Sequence, residues 1–399
     1  MRARITFLIA LLALGAEGAA GAALDHWTYR TSGVSGFAQF SAISYGNGKF
    51  VVAGQAAGNV LLNSEDGVAW TRPAHGPLPQ IAELAYGNRM FMGAGRFREV
   101  VMSTNGESWT SVTISNAALF FYTVAYGNGM FVVGGELDTG DATYVATIYS
   151  STDGMNWSNW TSRSISNLRD VAFGNGKFVA LGSGFNRGTP DRRVLVSSNG
   201  LDWTSHDAGG SRNWRGVTYG NDQFVAMADG PGGGLVAVIS PDGKGWTAYP
   251  VAATNHFVTR LGFGNGTYAA VGSVNQSQHF LLLSTNGTAW ESKYIGPRMG
   301  NYFLYDIAFG EGTFVVVGAP NSIAQSASVT PAWFERVHRS PTETELEISG
   351  EVGRGYDLQY SLDLAQWHGV LRYTNGCPTE RVIDSAGADT RRFYRALTD

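Results

Sequence analysis

A phrase of the form aromatic-Gly-Asn-Gly-x-aromatic recurs seven times, with small departures. The copies are Tyr45–Phe50, Tyr86–Phe91, Tyr126–Phe131, Phe173–Phe178, Tyr219–Phe224, Phe263–Tyr268 and Phe309–Phe314. Successive copies begin 40 to 47 residues apart. A unit of that length cannot bury its own apolar faces, so the units must stack or close into a ring. A second phrase, Ser-x-Asp/Asn-Gly-x-x-Trp, alternates with the first at Ser64–Trp70, Ser103–Trp109, Ser151–Trp157, Ser197–Trp203, Ser240–Trp246 and Ser284–Trp290.

Each unit reads as four short strands. The first ends at the motif aromatic, as in Ser41–Tyr45, and the Gly-Asn-Gly triplet supplies residues that accept the positive φ of a tight hairpin. The second strand is of the type Phe50–Gly54 and the third of the type Val60–Asn63, and an Asp-Gly or Asn-Gly turn leads to a fourth strand at the Trp. Four strands per unit at this spacing predict a propeller blade, since the coils of a β-solenoid are shorter and lack paired hairpins. The expected fold is all-β: a seven-bladed antiparallel β-propeller over residues 24–329, then a small β-sandwich over 330–399.

The last unit lacks a Trp phrase of its own, while Trp27-Thr28 stands alone at the front of the chain. This predicts that a strand within about Asp25–Arg30 pairs with about Asn321–Ala327 and latches the ring, which removes the open sheet edges. Residues 1–23 read as a secretory signal. Arg2 and Arg4 precede the apolar run Ile5–Leu14, and small residues follow at Ala19–Ala23. The run is too short to span a bilayer. The expected location is therefore secreted, periplasmic or in the cell envelope, with no membrane span. Cys377 is the only cysteine, so no intramolecular disulfide can form. Charged residues make up 15% of the chain and the formal net charge is −4, which argues against a nucleic-acid partner. No spacing of His, Cys or acids implies a metal, and no motif implies a cofactor.

The Ser-x-Asp-Gly-x-x-Trp phrase resembles the Asp-box of bacterial-neuraminidase (BNR, sialidase-like) repeats. It departs from that box in having Asp and Gly adjacent, and in carrying Asn at Asn105, Asn199 and Asn286. The resemblance implies that the phrase is a folding element, with Asp66, Asp153 and Asp242 holding the hairpin. The tail, with Tyr356–Trp367 and Arg392–Arg395, resembles C-terminal modules of secreted proteins from Verrucomicrobia-like bacteria. That implies a bacterial, exported protein and no particular activity.

In a four-stranded blade the Gly-Asn-Gly and Asp-Gly hairpins share one face. The loops that vary in length, Glu136–Ala146, Gly184–Arg192, Asp229–Gly234 and Asn275–His279, share the other, where binding is expected. Three and four residues before the motif aromatics the chain places Glu83, Tyr122, Arg169, Asp170, Arg215, Arg260, Tyr305 and Asp306. The candidate ligand-binding residues are Tyr122, Arg169, Asp170, Trp214, Arg215, Arg260 and Tyr305. The first expectation is a non-catalytic binding protein for a glycan or an extracellular protein. The alternative is a sialidase-like glycoside hydrolase. It would use Arg169, Arg215 and Arg260 as carboxylate clamps, Tyr305 as nucleophile, and Asp306 and Glu83 as acids.

Overall fold

The computed structural model describes residues 24 and 26–398 apart from 96, 115–118, 139–143, 163–164, 166–167, 183–184, 187–188, 191–192, 210–212, 231–233, 254–255, 275–277, 296–302, 328–332, 340–343, 350–354, 362–367, 375–378 and 385–392. Residues 1–23, expected to be a secretory signal, and Cys377 lie outside the described residues, as do parts of the variable loops. Among the described residues there is no helix, and every paired strand is antiparallel. Among the described residues no helix is long and apolar enough to cross a membrane.

From Trp27 to Ala327 seven sheets are arranged as the blades of a propeller, and a small two-stranded ribbon pairs Phe185–Asn186 with Thr189–Pro190. The inner strands are Gln39–Gly46, Ile81–Gly87, Leu119–Gly127, Leu168–Gly174, Trp214–Gly220, His256–Gly264 and Phe303–Gly310. Each lies beside the next around the ring, and the last returns to the first. Two blades depart from the common plan. In the first, the fourth strand shrinks to a bridge between Asn63 and Thr71. Continuing that register would set Pro73 against Leu61, where proline has no N–H to give. In the seventh, the fourth strand is Trp27–Tyr29, which pairs with Ser322–Ser326 with Trp27 opposite Ser326.

The Gly-Asn-Gly triplet divides its labour in a way the sequence does not announce. Asn47 (φ 51°) and Gly48 (φ 69°) make the two left-handed positions of the hairpin turn. The preceding glycine serves packing instead. A Cβ on Gly46 would fall 2.0 Å from Tyr86 Cγ, and one on Gly127 would fall 2.0 Å from Phe173 Cγ. The same holds at Gly87, Gly174, Gly220, Gly264 and Gly310, the last against Tyr45 of the first blade. Each motif aromatic therefore lies on the bare backbone of the blade before it, all the way around the ring.

The core sits between blades. Phe50, Phe91, Phe131, Phe178, Phe224, Tyr268 and Phe314, which end the repeated phrase, are fully buried. Each packs on the motif aromatic of its own hairpin, with ring centroids 4.7 to 4.9 Å apart. Burying one such ring contributes about 2–3 kcal/mol. On the outer hairpins the second phrase closes a local network. Ser64 Oγ accepts Gly67 N–H at 2.8 Å, Asp66 Oδ1 accepts Val68 and Ala69 N–H at 2.8 and 3.0 Å, and Trp70 Nε1 donates to Gly67 O at 3.1 Å. These amide bonds hold Asp66 below the usual carboxylate range, and Asp153 and Asp242 are lowered by the same kind of bond.

Residues 328–399 belong to a second unit. Trp333–Arg339, Thr344–Ser349 and Thr379–Asp384 form one three-stranded sheet; His368–Thr374, Gly355–Ser361 and Phe393–Thr398 form another. Leu346, Ile348, Leu358 and Val382, drawn from both sheets, make a single small core.

Candidate functional site

In every blade one residue of the inner strand is left out of the pairing with the second strand. The seven are Ser41, Ala82, Tyr122, Arg169, Arg215, Thr259 and Tyr305. Such bulges break the two-residue alternation of a strand and re-aim the side chains beside them. The two neighbouring columns read from the sequence therefore part company. Glu83, Asp170, Arg260 and Asp306 line the central channel. The bulged residues make separate contacts.

The channel residues form one ionic layer. Arg260 reaches Asp170 Oδ1 at 3.0 Å, Glu83 Oε1 at 3.2 Å and Asp306 Oδ1 at 3.6 Å. The two aspartates are also backbone acceptors. Asp170 takes Val171 N–H at Oδ1 and Val217 N–H at Oδ2, both at 2.9 Å. Asp306 takes Ile307 N–H at Oδ1 and Ile43 N–H at Oδ2, both at 2.8 Å. Val217 and Ile43 belong to the next blade in each case, so each aspartate ties two blades together. Burial pushes Asp306 up to about 6 against the pull of Arg260, and pushes Glu83 well above the carboxylate range. Burial alone would lower Arg260, but the three carboxylates overturn that and hold it above its ordinary value.

The bulged residues sit on the variable-loop side. Arg215 makes a two-pronged pair with Asp229, Nε to Oδ1 and a terminal nitrogen to Oδ2, each at 2.8 Å, and lies 4.1 Å over the Phe257 ring. Tyr122 donates its hydroxyl to Glu136 at 2.7 Å. Tyr305 stacks on Phe303 with centroids 6.1 Å apart, and burial raises its phenol. Arg169 is exposed; desolvation at the mouth and the charges of Arg215 and Arg260 lower its guanidinium.

Three of the expectations need correcting. Trp214 is buried, not displayed. It precedes the bulge, and there the strand points into the packing between blades, where its ring lies 5.9 Å from that of Trp246. The three arginines do not form one clamp. Arg260 is spent on buried carboxylates and Arg215 on Asp229, so a sugar carboxylate would have to displace both. Asp170 likewise holds the ring together and is 2% exposed. Among the described residues no group of three or more His, Cys, Asp or Glu is placed to hold a metal.

The sequence reading missed the phenylalanines of this face. Phe37, Phe97 and Phe257 are exposed by 67, 65 and 43%, and all three lie at the variable-loop ends of their blades. Each is held in place. Asn321 takes Ala38 N–H on its side-chain oxygen, donates its amide to Gly36 O at 2.6 Å, and donates its own N–H to Ala38 O, pinning the backbone on both sides of Phe37. Phe97 and Arg98 both have left-handed backbones, φ 65° and 72°, and Phe97 leans on Phe120 at 5.3 Å. Phe257 is covered by Arg215. The positive φ of Phe97 has no sequence signal, because Asn-Gly is the pair a turn of this kind favours.

No family model matches the chain, and no curated protein matches it. Solved structures do. YCF48 from Cyanidioschyzon merolae is 16% identical with a TM-score of 0.53, over 75% of this chain and 98% of that one. A catalytically inactive H270A virginiamycin B lyase from Staphylococcus aureus with quinupristin is 11% identical with a TM-score of 0.59, over 75% and 98%. The WD40 propeller domain of Doa1 is 11% identical with a TM-score of 0.54, over 74% and 96%. At these identities the likeness extends to the fold. The chain is built around a seven-bladed β-propeller.

Proposed function

We propose that this is a secreted, non-catalytic binding protein that takes a glycan or an extracellular protein on the variable-loop face of its propeller. The observation that carries the reading is the set Phe37, Phe97 and Phe257, three exposed rings presented on one face by a pinned loop, a strained turn and an arginine cover. Backbone strain around an exposed aromatic costs stability and gives the core nothing in return, so it fits retention for contact with a ligand. Aromatic rings carry much of the contact energy at interfaces. The exposed apolar groups Val68, Met155 and Leu201 of the opposite face sit singly at hairpin tips. The resemblance to Asp-box repeats fits an extracellular propeller and adds no catalytic residue. The hydrolase alternative is weakened by the commitment of Arg215 and Arg260 to acids within the protein.

The test is a glycan-array and extracellular-protein binding screen of the protein without its leader, run beside hydrolysis of a fluorogenic sialoside and other aryl glycosides. Binding without turnover, reduced at least tenfold in both Phe37→Ala and Phe257→Ala, is expected. Turnover lost in Arg169→Ala would overturn the reading, as would binding that neither phenylalanine substitution changes.

A further inference from the structure

The strand that latches the ring also covers a buried histidine. Trp27–Tyr29 is the outer strand of the seventh blade, and Tyr29 reaches across to His279 in the third strand of the sixth, Gln278–Ser284. The Tyr29 hydroxyl lies 2.7 Å from His279 Nδ1 and 3.3 Å from Ile295 O, and the two rings stack with centroids 6.2 Å apart. His279 is 4% exposed beneath a tyrosine that is 39% exposed. The hydroxyl has one proton for two acceptors. With Nδ1 unprotonated it donates to the imidazole. A proton on Nδ1 reverses that bond and turns the phenol towards Ile295 O. The contact survives, but it now holds a charge away from water.

The strand itself is short and shallow. It forms the edge of its sheet, with Thr28 and Tyr29 exposed and Trp27 half-buried. It pairs with Ser322–Ser326, and the next residue adds Arg30 N–H to Ile323 O at 2.8 Å and Arg30 Nε to Gln325 Oε1 at 2.9 Å. An edge strand with few buried apolar contacts is the kind of element that opens on its own. The other titratable side chains on the surrounding strands are turned elsewhere. His256 reaches Ser292, Tyr294 leans on His256, Lys293 pairs with Glu291, and Arg30 holds Gln325. Burial, and no neighbouring charge, is what lowers His279.

We propose that the Trp27–Tyr29 strand is an acid-released latch: protonation of His279 lifts it from the sixth and seventh blades while the rest of the ring stays folded. Lifting Tyr29 is the motion that gives the imidazole water, so the open form takes up the proton that the closed form resists. The closed value of about 4 lies below the ordinary 6.5, so opening is favoured as pH falls from 6.5 towards 4. Global unfolding runs the other way. Asp306 and Glu83 are raised by burial and take up protons in the folded ring, so acid favours the closed channel layer while it loosens the latch. That opposition makes the release local.

The experiment is hydrogen exchange read by mass spectrometry at pH 7.5, 6.5, 5.5 and 4.5, with each rate divided by its intrinsic value at that pH. Protection of residues 27–30 and 322–326 should fall roughly 50- to 100-fold from pH 7.5 to 4.5, the ratio that values of 6.5 and about 4 imply. The second strand of the same blade, Thr313–Ala319, should keep its protection. His279→Gln can still accept from Tyr29 but takes no proton, so its latch should be equally protected at all four pH values. If His279→Gln does not fold, Tyr29→Phe decides. It keeps the cover and loses the bond, so it should exchange faster at pH 7.5 with the same acid response, and an unaltered rate would mean that Tyr29 does not hold the strand. Protection that is constant with pH, that falls equally in His279→Gln, or that falls together with Thr313–Ala319 would each overturn the proposal.

Discussion

Asp306 accepts the backbone N–H of Ile43 at 2.8 Å, a bond that joins the inner strand of the last blade to that of the first. Asp170 makes the equivalent bond to Val217 between the fourth and fifth blades. Both carboxylates are buried, so removing either orphans two backbone amides and takes a partner from Arg260. Asp306→Ala should therefore cost about 3–5 kcal/mol. Asp306→Asn, which keeps one acceptor, should cost less. Urea unfolding of the three proteins gives the values directly. Equal stability of Asp306→Ala and wild type would mean that the ring closes without this bond.

The first glycine of each repeat makes a second, sharper contrast. Gly127→Ala puts a methyl 2.0 Å from the Phe173 ring, and the neighbouring blade has to move. Overpacking of that kind costs about 1–3 kcal/mol. Gly129→Ala, two residues on, meets open space and bears only the penalty of its left-handed φ of 76°, about 1–2 kcal/mol. The two losses should also differ in kind. Crystallographic or chemical-shift changes should spread into the next blade for Gly127→Ala and stay within the hairpin for Gly129→Ala.

How much of this was legible in the sequence follows from what repeats and what does not. The blade count and the strand pattern could be read because seven copies of one phrase impose the same hairpin seven times. The channel column could be found by counting back from the motif aromatics, which is how Glu83, Asp170, Arg260 and Asp306 came together. The bulge could not be foreseen, since Ser41, Ala82, Tyr122, Arg169, Arg215, Thr259 and Tyr305 have no residue type in common. Without it the two columns merge, Trp214 points at solvent, and three arginines look like one clamp. Phe37, Phe97 and Phe257 were missed for another reason: they fall outside both phrases. Phe37 and Phe257 are held through Asn321 and Asp229, distant in sequence, and Phe97 by a strained turn of its own that no residue type announces.

That strained turn sets stability against binding. Phe97→Gly relieves a left-handed phenylalanine and should raise stability by about 1 kcal/mol, less what its contact with Phe120 contributes, while weakening ligand binding on the proposed face. Arg98→Gly relieves the adjacent position and should raise stability by a similar amount with the phenylalanine still in place. Thermal unfolding and the binding assay on the same two proteins check both halves. If Phe97→Gly binds as well as wild type, the strain serves something other than recognition.

Two buried groups should oppose each other between pH 4 and pH 6.5. His279, beneath the N-terminal strand with Tyr29 Oη 2.7 Å from its Nδ1, is lowered by burial from 6.5 to about 4. The unfolded chain therefore holds more protons over that interval, and this contribution to stability is lost as pH falls, by about 3 kcal/mol in all. Asp306 runs the other way. Its folded value of about 6 lies above the model-peptide value of 3.8, so the folded chain holds more protons between the two and stability rises as pH falls, also by about 3 kcal/mol. Glu83, raised in the same sense, adds to Asp306. The wild type should therefore gain stability as pH falls through this range, by less than the two carboxyls alone would give. Against that baseline, His279→Gln should gain stability more steeply than wild type as pH falls from 6.5 to 4.5, and Asp306→Asn less steeply. Urea midpoints across the range separate these cases by slope alone, so a constant cost of either substitution drops out. Three parallel profiles would show that neither group titrates differently in the folded and unfolded chains.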